Sequence, residues 1–266
     1  MNYIATIGVF DGVHKGHQFL INTLCHEAER CGLQPAVIVI EKPSCQRLTT
    51  RDEQAVLLEQ FTSQIIYYSF KDIQHLSARE FMTLLHDTHN VSALMMGYDH
   101  RFGSDLLNYE QLKSQITNSQ LQIIPCPQGQ NISSSKIRNS LLAGDIETAN
   151  NMLGYNYTLS GTVVHGNGIG RTIGFPTANV QVEPCKLIPK PGVYAATNAL
   201  VNIGTNPTIG NDHLTIEAYL PNYHGSDFYG QQLQLSLTRR LRDEQHFSSL
   251  DALKAQIQQD IKGAGS

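Results

Sequence analysis

The chain has 266 residues, 41% hydrophobic and 16% charged, which is enough length for two domains and enough apolar material for real cores, and excludes global disorder. With 23 acidic against 19 basic residues the formal charge is −4, which argues against a protein whose task is to coat nucleic acid. No apolar run approaches the ~20 residues a bilayer-spanning helix needs, and the first residues lack the basic and apolar regions of a secretory signal. Five cysteines (Cys25, Cys31, Cys45, Cys126 and Cys185) are irregularly spaced with no CxxC pair. They suit a reducing cytoplasm and suggest neither a disulfide framework nor a zinc site.

From Met1 to about Tyr155, short apolar runs alternate with helix-length amphipathic stretches. Strands are predicted at Tyr3–Val9, Ala36–Ile40, Gln64–Tyr68, Ser92–Met96 and Leu121–Pro125. Helices are predicted at Phe19–Arg30, stopped by Gly32, then at Asp52–Phe61, Ala78–His86 and Asn108–Ile116. Ser77 and Glu80 have the spacing of a capping box. This alternation predicts a parallel sheet covered on both faces, with ligands at the carboxyl ends of its strands. After about Tyr157 the rhythm changes. Thr158–Val164, Gly192–Asn198, Leu200–Ile203, Leu214–Leu220 and Gln232–Thr238 read as strands between Gly, Pro, Asn and Asp turns, as in an antiparallel barrel or sandwich. A closing helix is expected from the capping box Ser248-Ser249-Leu250-Asp251, with Leu250, Leu253, Ile257 and Ile261 as its packing stripe and Gly263–Ser266 as a disordered tail. The fold class is α/β followed by all-β, with domains at residues 1–155 and 156–266.

Gly8-Val9-Phe10-Asp11-Gly12-Val13-His14-Lys15-Gly16-His17 ends the first strand and opens a helix. Two imidazoles three residues apart at a helix start can face one anion, and Gly16 between them lets a bulky group approach the backbone. Ser133, Ser134, Ser135, Lys136 and Arg138 form a second candidate phosphate site at the start of a helix that runs to about Ala143 and ends at Gly144.

In the second half, Gly166, Gly168, Gly170 and Gly174 flank Arg171 and precede Phe175-Pro176-Thr177-Ala178-Asn179. Backbone amides of such a loop can curl around phosphates, although it is not a GxxxxGK[ST] loop. Thr177 and Asn179 supply neutral oxygens of the kind Mg²⁺ accepts beside nucleotide phosphates. Farther on, Thr215-Ile216-Glu217-Ala218-Tyr219 sets one carboxylate in an apolar strand, where it either faces solvent or serves chemistry.

Together these segments resemble bacterial bifunctional riboflavin kinase/FMN adenylyltransferases over essentially the whole chain. Residues 8–17 and 133–138 are similar to that family's GxFDGxHxGH and SSTxIR motifs, and Gly97-Tyr98-Asp99-His100-Arg101-Phe102-Gly103 to its GxDxRFG segment. Residues 174–179 resemble GxPTAN, Asn202-Ile203-Gly204-Thr205-Asn206-Pro207-Thr208 resembles NxGxxPT, and Tyr229-Gly230 with residues 242–247 matches YG and RxExxF. The resemblance implies a Rossmann-like nucleotidylyltransferase domain followed by a riboflavin-kinase barrel, acting on ATP, riboflavin and FMN with Mg²⁺. It implies that Glu217 is the general base, with Asn179 also catalytic, and that His14 and His17 act at the α-phosphate. Gly8, Phe10, Asp11, Gly16, Ser134, Ser135, Arg138, the Gly166–Gly174 loop with Arg171, Pro176 and Thr177 would bind ATP. Asp99, Asn202, Thr208, Arg242 and Phe247 would hold flavin, although Phe247 is equally suited to a core. Two departures stand out. Glu41-Lys42-Pro43-Ser44 replaces the family's Pro-His-Pro, and Ser104-Asp105-Leu106-Leu107-Asn108 replaces a basic, glycine-containing stretch. Three alternatives stay open: a riboflavin kinase whose first half only binds nucleotide or flavin, a transferase for another substrate, and an RNA-binding module.

Overall fold

The computed structural model of the chain describes residues 1–97, 101–115, 121–127, 129, 131–166, 174–205, 214–221, 223, 228–245 and 247–264. These residues form two compact units, Met1–Ser44 with Arg51–Ser133, and Cys45–Thr50 with Ser134–Ser266.

The first unit contains β1 (Tyr3–Gly8), α1 (Lys15–Cys31), β2 (Gln34–Glu41), α2 (Arg51–Glu59), β3 (Ile65–Ser69), α3 (Phe70–Ile73), α4 (Ala78–His89), β4 (Val91–Met96), α5 (Tyr109–Gln115) and β5 (Gln122–Pro125). The strands pair in parallel in the order β3-β2-β1-β4-β5. Ala36, Val37, Ile38 and Val39 of β2 are all fully buried, because helices cover both faces of the sheet. The strand order reverses between β1 and β4, so the crevice for a ligand lies at the carboxyl end of β1. Local signals agree with the elements they announce. Gly32 ends α1 with φ 67°, and Ser77 and Glu80 form the reciprocal capping box of α4. The four-residue α3 and the helix after Gly144 are additions to the sequence reading.

The second unit comprises α6 (Ser134–Ala143), α7 (Ile146–Leu153), β6 (Tyr157–Val164), β7 (Thr177–Val182), β8 (Gly192–Ala196), β9 (Ala199–Thr205), β10 (Leu214–Tyr219), β11 (Gln232–Arg242) and α8 (Leu250–Ala264). Six antiparallel strands close into a barrel in the order β10-β7-β6-β11-β8-β9, which leaves no open edge. The compact division precedes the change of rhythm at 155/156. The Asn150 side chain on α7 donates to the Leu237 carbonyl (2.9 Å) and accepts from the Tyr157 amide (2.8 Å), stitching that helix to β11 and β6. Residues 45–50 join the same unit: the Arg47 amide donates to the Cys185 carbonyl (2.7 Å), and buried Lys186 donates to the Leu48 carbonyl (2.8 Å) while lying over the Tyr157 ring.

The closing helix differs from expectation in three respects. Ser249, rather than Ser248, caps it by accepting from the Ala252 amide at 3.2 Å. Leu250 is 57% exposed and contributes little packing, since the first turn of α8 leaves it facing outward. Gly263 and Ala264, expected to be disordered, complete the helix, while residues 265–266 lie outside the described residues.

Asp260 of α8 is buried and accepts from Arg242 Nη2 (2.7 Å), Arg242 Nε (3.1 Å) and Gln256 Nε2 (2.9 Å). Removing one partner of a buried ion pair strands the other charge. Asp260→Ala is expected to lower stability by roughly 3 kcal/mol, read from the shift in urea midpoint at constant m.

Candidate active sites

In the first unit the turn after β1 brings its motif residues together. His14 caps α1: its Nδ1 accepts from the His17 amide at 3.3 Å, so the proton of the neutral ring sits on Nε2, the nitrogen able to donate to an anion. His14 and His17 stack with ring centroids 3.7 Å apart and planes 15° apart, and Phe10 meets His17 edge-on at 5.2 Å. A Cβ on Gly8 would lie 3.3 Å from the Phe10 ring, and one on Gly16 3.2 Å from the His14 ring, so a side chain at either position would press on those rings. Asp11, like Phe10 and His14, is buried.

Burial pulls His14 down to about 4, and holds His17 well below its ordinary value, with the neighbouring His14 lowering it further. Both rings are therefore neutral near physiological pH and act as dipoles rather than charges. His17 Nδ1 is a buried polar atom with no hydrogen-bond partner among the described residues. Two glutamines that the sequence reading passed over support the turn. Gln54 Nε2 donates to the Val9 and Phe10 carbonyls, and Gln18 Nε2 to the Val13 carbonyl. Gln54 stands one helical turn before the buried Leu58 on α2, and the sequence offers no other signal for it.

Ser134, Ser135 and Arg138 fall in the second unit. The serines open α6 as expected, and Arg138 Nε donates to the Gln46 carbonyl at 2.8 Å. Asp99, Gly168, Gly170, Arg171 and Thr208 lie outside the described residues. At the departures from the family pattern, Lys42 lies 4.5 Å from the Phe70 ring centroid, and Asp105 accepts from the Ala78 amide at 3.0 Å. Phe102 is buried and stacked on Phe81, a packing role.

In the barrel, three motifs distant in sequence meet on one rung. Glu217 of β10 lies directly opposite Asn179 of β7 on one side and Asn202 of β9 on the other. Directly paired residues share a face. Ile216 and Ala218 point into the core, so the rung lies on the outer wall, and Thr177, two residues before Asn179, shares that face. Gly166 comes so close to Asn179 that a Cβ would collide with its side-chain amide. At Gly204, two residues beyond Asn202, a Cβ would collide with the Glu244 carboxylate. Phe175 packs edge-on to Tyr219 at 5.6 Å, while Gly174 (φ 86°) and Pro176 lead into β7. Burial pushes the Glu217 carboxyl above its ordinary value, as suits a proton acceptor working near neutrality. Arg242 is not part of this group: Asp260 holds it, with Phe247 5.8 Å from its guanidinium.

Family models match residues 1–137 as FAD synthetase and residues 153–266 as riboflavin kinase. The bifunctional riboflavin kinase/FMN adenylyltransferase of Escherichia coli (strain K12) is 34% identical over 97% of this chain and 90% of its own length. The protein of the same description from Listeria monocytogenes is 32% identical over 98% and 90%. A crystal structure described as a macrolide-efflux protein from Streptococcus pneumoniae superimposes with a TM-score of 0.88 at 27% identity, covering 100% of this chain and 94% of that one.

Lowered histidine values carry a pH signature. Between about 6.5, where an unfolded histidine titrates, and about 4, the unfolded chain binds more protons than the folded one, so stability rises with pH through that window and falls on acidification. Urea unfolding near pH 7 and pH 5 is expected to show this loss, and His14→Gln to flatten the slope.

Proposed function

The chain belongs to the family of bifunctional riboflavin kinase/FMN adenylyltransferases, and we propose how its residues divide the two reactions. ATP-dependent phosphorylation of riboflavin to FMN, and adenylylation of FMN to FAD with release of pyrophosphate, are its activities. We assign the first to residues 156–266 and the second to residues 1–155.

The observation that carries the kinase assignment is the Asn179–Glu217–Asn202 rung. Glu217 accepts the proton of the ribityl 5′-hydroxyl as its oxygen attacks the γ-phosphorus and the bond to ADP breaks. Thr177 and Asn179 hold the phosphates of MgATP, with Gly166, Arg171, Gly174 and Pro176 as further phosphate-binding residues. Among the described residues no group of three His, Cys, Asp or Glu could hold a metal ion. The neutral oxygens on β7 fit a cation that arrives with the nucleotide and draws its charge compensation from phosphate. Asn202, Thr208 and Phe247 are assigned to flavin binding. Arg242 acts there through its Asp260-bound position.

In the adenylyl transfer, an FMN phosphate oxygen attacks the α-phosphorus of ATP and the bond to pyrophosphate breaks. His14 and His17 donate to the α-phosphate region from the start of α1, and Asp99 contributes to the FMN site, while Ser134, Ser135 and Arg138 at the start of α6 are phosphate-binding candidates of the second unit. No described helix is long and apolar enough to cross a membrane. All five thiols are free, which suits a cytoplasmic enzyme.

Chromatography of products tests both assignments. Glu217→Gln should slow FMN formation by about 10²–10⁴-fold with flavin binding retained. In the parent, the acid limb of kcat/KM should lie above the ordinary carboxylate value, because Glu217 must be ionised to accept the proton. His14→Ala and His17→Ala should abolish FAD formation from FMN and ATP while leaving FMN formation from riboflavin intact. Near-normal FMN production by Glu217→Gln would remove the base assignment, and FAD production by the histidine variants would remove theirs.

A further inference from the structure

We propose that Gln54 is a positioning residue of the adenylyl-transfer site, holding the β1–α1 turn in the conformation that stacks His14 on His17. The inference rests on the reading of that turn as the adenylyl-transfer site. The turn is strained: Phe10 (φ 50°), Gly12 (φ 82°) and Val13 (φ 34°) all have positive φ, and two of the three carry side chains, one of them β-branched. Such backbone persists only where its surroundings over-determine it.

Gln54 supplies that determination. It is fully buried on the first turn of α2, four residues before the equally buried Leu58 and on the same face, where an apolar side chain would be expected. A polar group there is costly unless it is bonded. Its Nε2 donates to the Val9 carbonyl at 2.9 Å and to the Phe10 carbonyl at 2.9 Å, so one side-chain amide spends both hydrogens on consecutive carbonyls 44 and 45 residues away. The Phe10 carbonyl also accepts from the Val13 amide at 3.1 Å, which closes the turn from within. Fixing the Phe10 backbone aims its ring, wedged beside Gly8, edge-on at His17, and His17 carries the stack onto His14. On the far side Gln18 pins the Val13 carbonyl at 2.8 Å. Gln54 touches no reacting atom in this arrangement. It acts through Phe10 on the histidines.

Three full-length variants separate donation from packing. Gln54→Met keeps length and apolar volume and removes both donors, Gln54→Glu exchanges the donors for acceptors, and Gln54→Lys is one atom longer with donors retained. Proton NMR of the imidazoles is the primary readout. In the parent, His14 should titrate near 4. In Gln54→Met and Gln54→Glu both rings should move toward 6.5 as the turn loosens and water reaches them, whereas Gln54→Lys should keep them low. In the FMN-to-FAD assay, Gln54→Met should lower kcat about 10²-fold with the KM for ATP changed less than about threefold, because a small misplacement of the donors harms the transition state most. FMN formation should be unchanged, and Gln54→Lys should restore most of the FAD rate. Unaltered histidine titration in Gln54→Met, or titration near 6.5 in Gln54→Lys, would overturn the proposal. A parent that forms no FAD would instead overturn the adenylyltransferase reading, while the titration still decides the role of Gln54.

Discussion

For the barrel site, everything follows from the register of β10 between β7 and β9. Side chains alternate along a strand, so a slip of one residue would turn Glu217 inward and expose Ile216 and Ala218. The apolar pair therefore enforces the register that places the carboxylate. Once Ile216 and Ala218 are buried, Glu217 must lie on the outer wall opposite Asn179 and Asn202. Closure of the barrel makes this possible, because a carboxylate strand flanked on both sides by amide-bearing strands cannot be an edge.

The amino-terminal site is built on a different constraint. No sheet register positions its histidines; a short strand-to-helix turn does, and its backbone occupies conformations that side-chain-bearing residues avoid. Packing offsets that strain. Phe10 and Val13 are buried in the cluster formed with Ile21, Val37, Val39 and Leu58, which couples the turn to both α1 and α2. The same burial excludes water from the imidazoles and keeps them uncharged.

How far the sequence discloses this depends on whether the determining contact is local. The five strands of the parallel sheet are legible because each is an apolar run, and β1, β2 and β4 are buried on both faces. Gly32, Ser77 and Gly144 are legible because capping is decided within a few residues. β7 is not: Thr-Ala-Asn-Val-Gln-Val lacks a continuous apolar run and becomes a strand through pairing with β6 before it and with β10, which lies far along the chain. α7 escapes because a helix of eight residues directly after Gly144 leaves no periodic stretch long enough to detect. The motifs name Asn179, Glu217 and Asn202 separately, but only register shows them to be neighbours. Arg242 illustrates the converse, a motif residue whose guanidinium is committed to Asp260 of α8, a pairing that no local signal announces.

The contrast between neutral histidines and a partly buried carboxylate follows from what each proposed step must release. Adenylyl transfer ends with pyrophosphate, a polyanion that full positive charges would bind as firmly as they bind ATP. Uniform binding of that kind deepens the ground state without lowering the barrier. Two uncharged imidazoles at a helix amino terminus offer oriented dipoles instead, and these gain most where charge develops in the transition state. The kinase step has the opposite need, since a hydroxyl must lose its proton as it attacks. A carboxylate whose basicity burial has raised is a better acceptor than an exposed one. Burial thus acts on protonation in both units, suppressing a charge at His14 and His17 and raising the basicity of the Glu217 carboxylate.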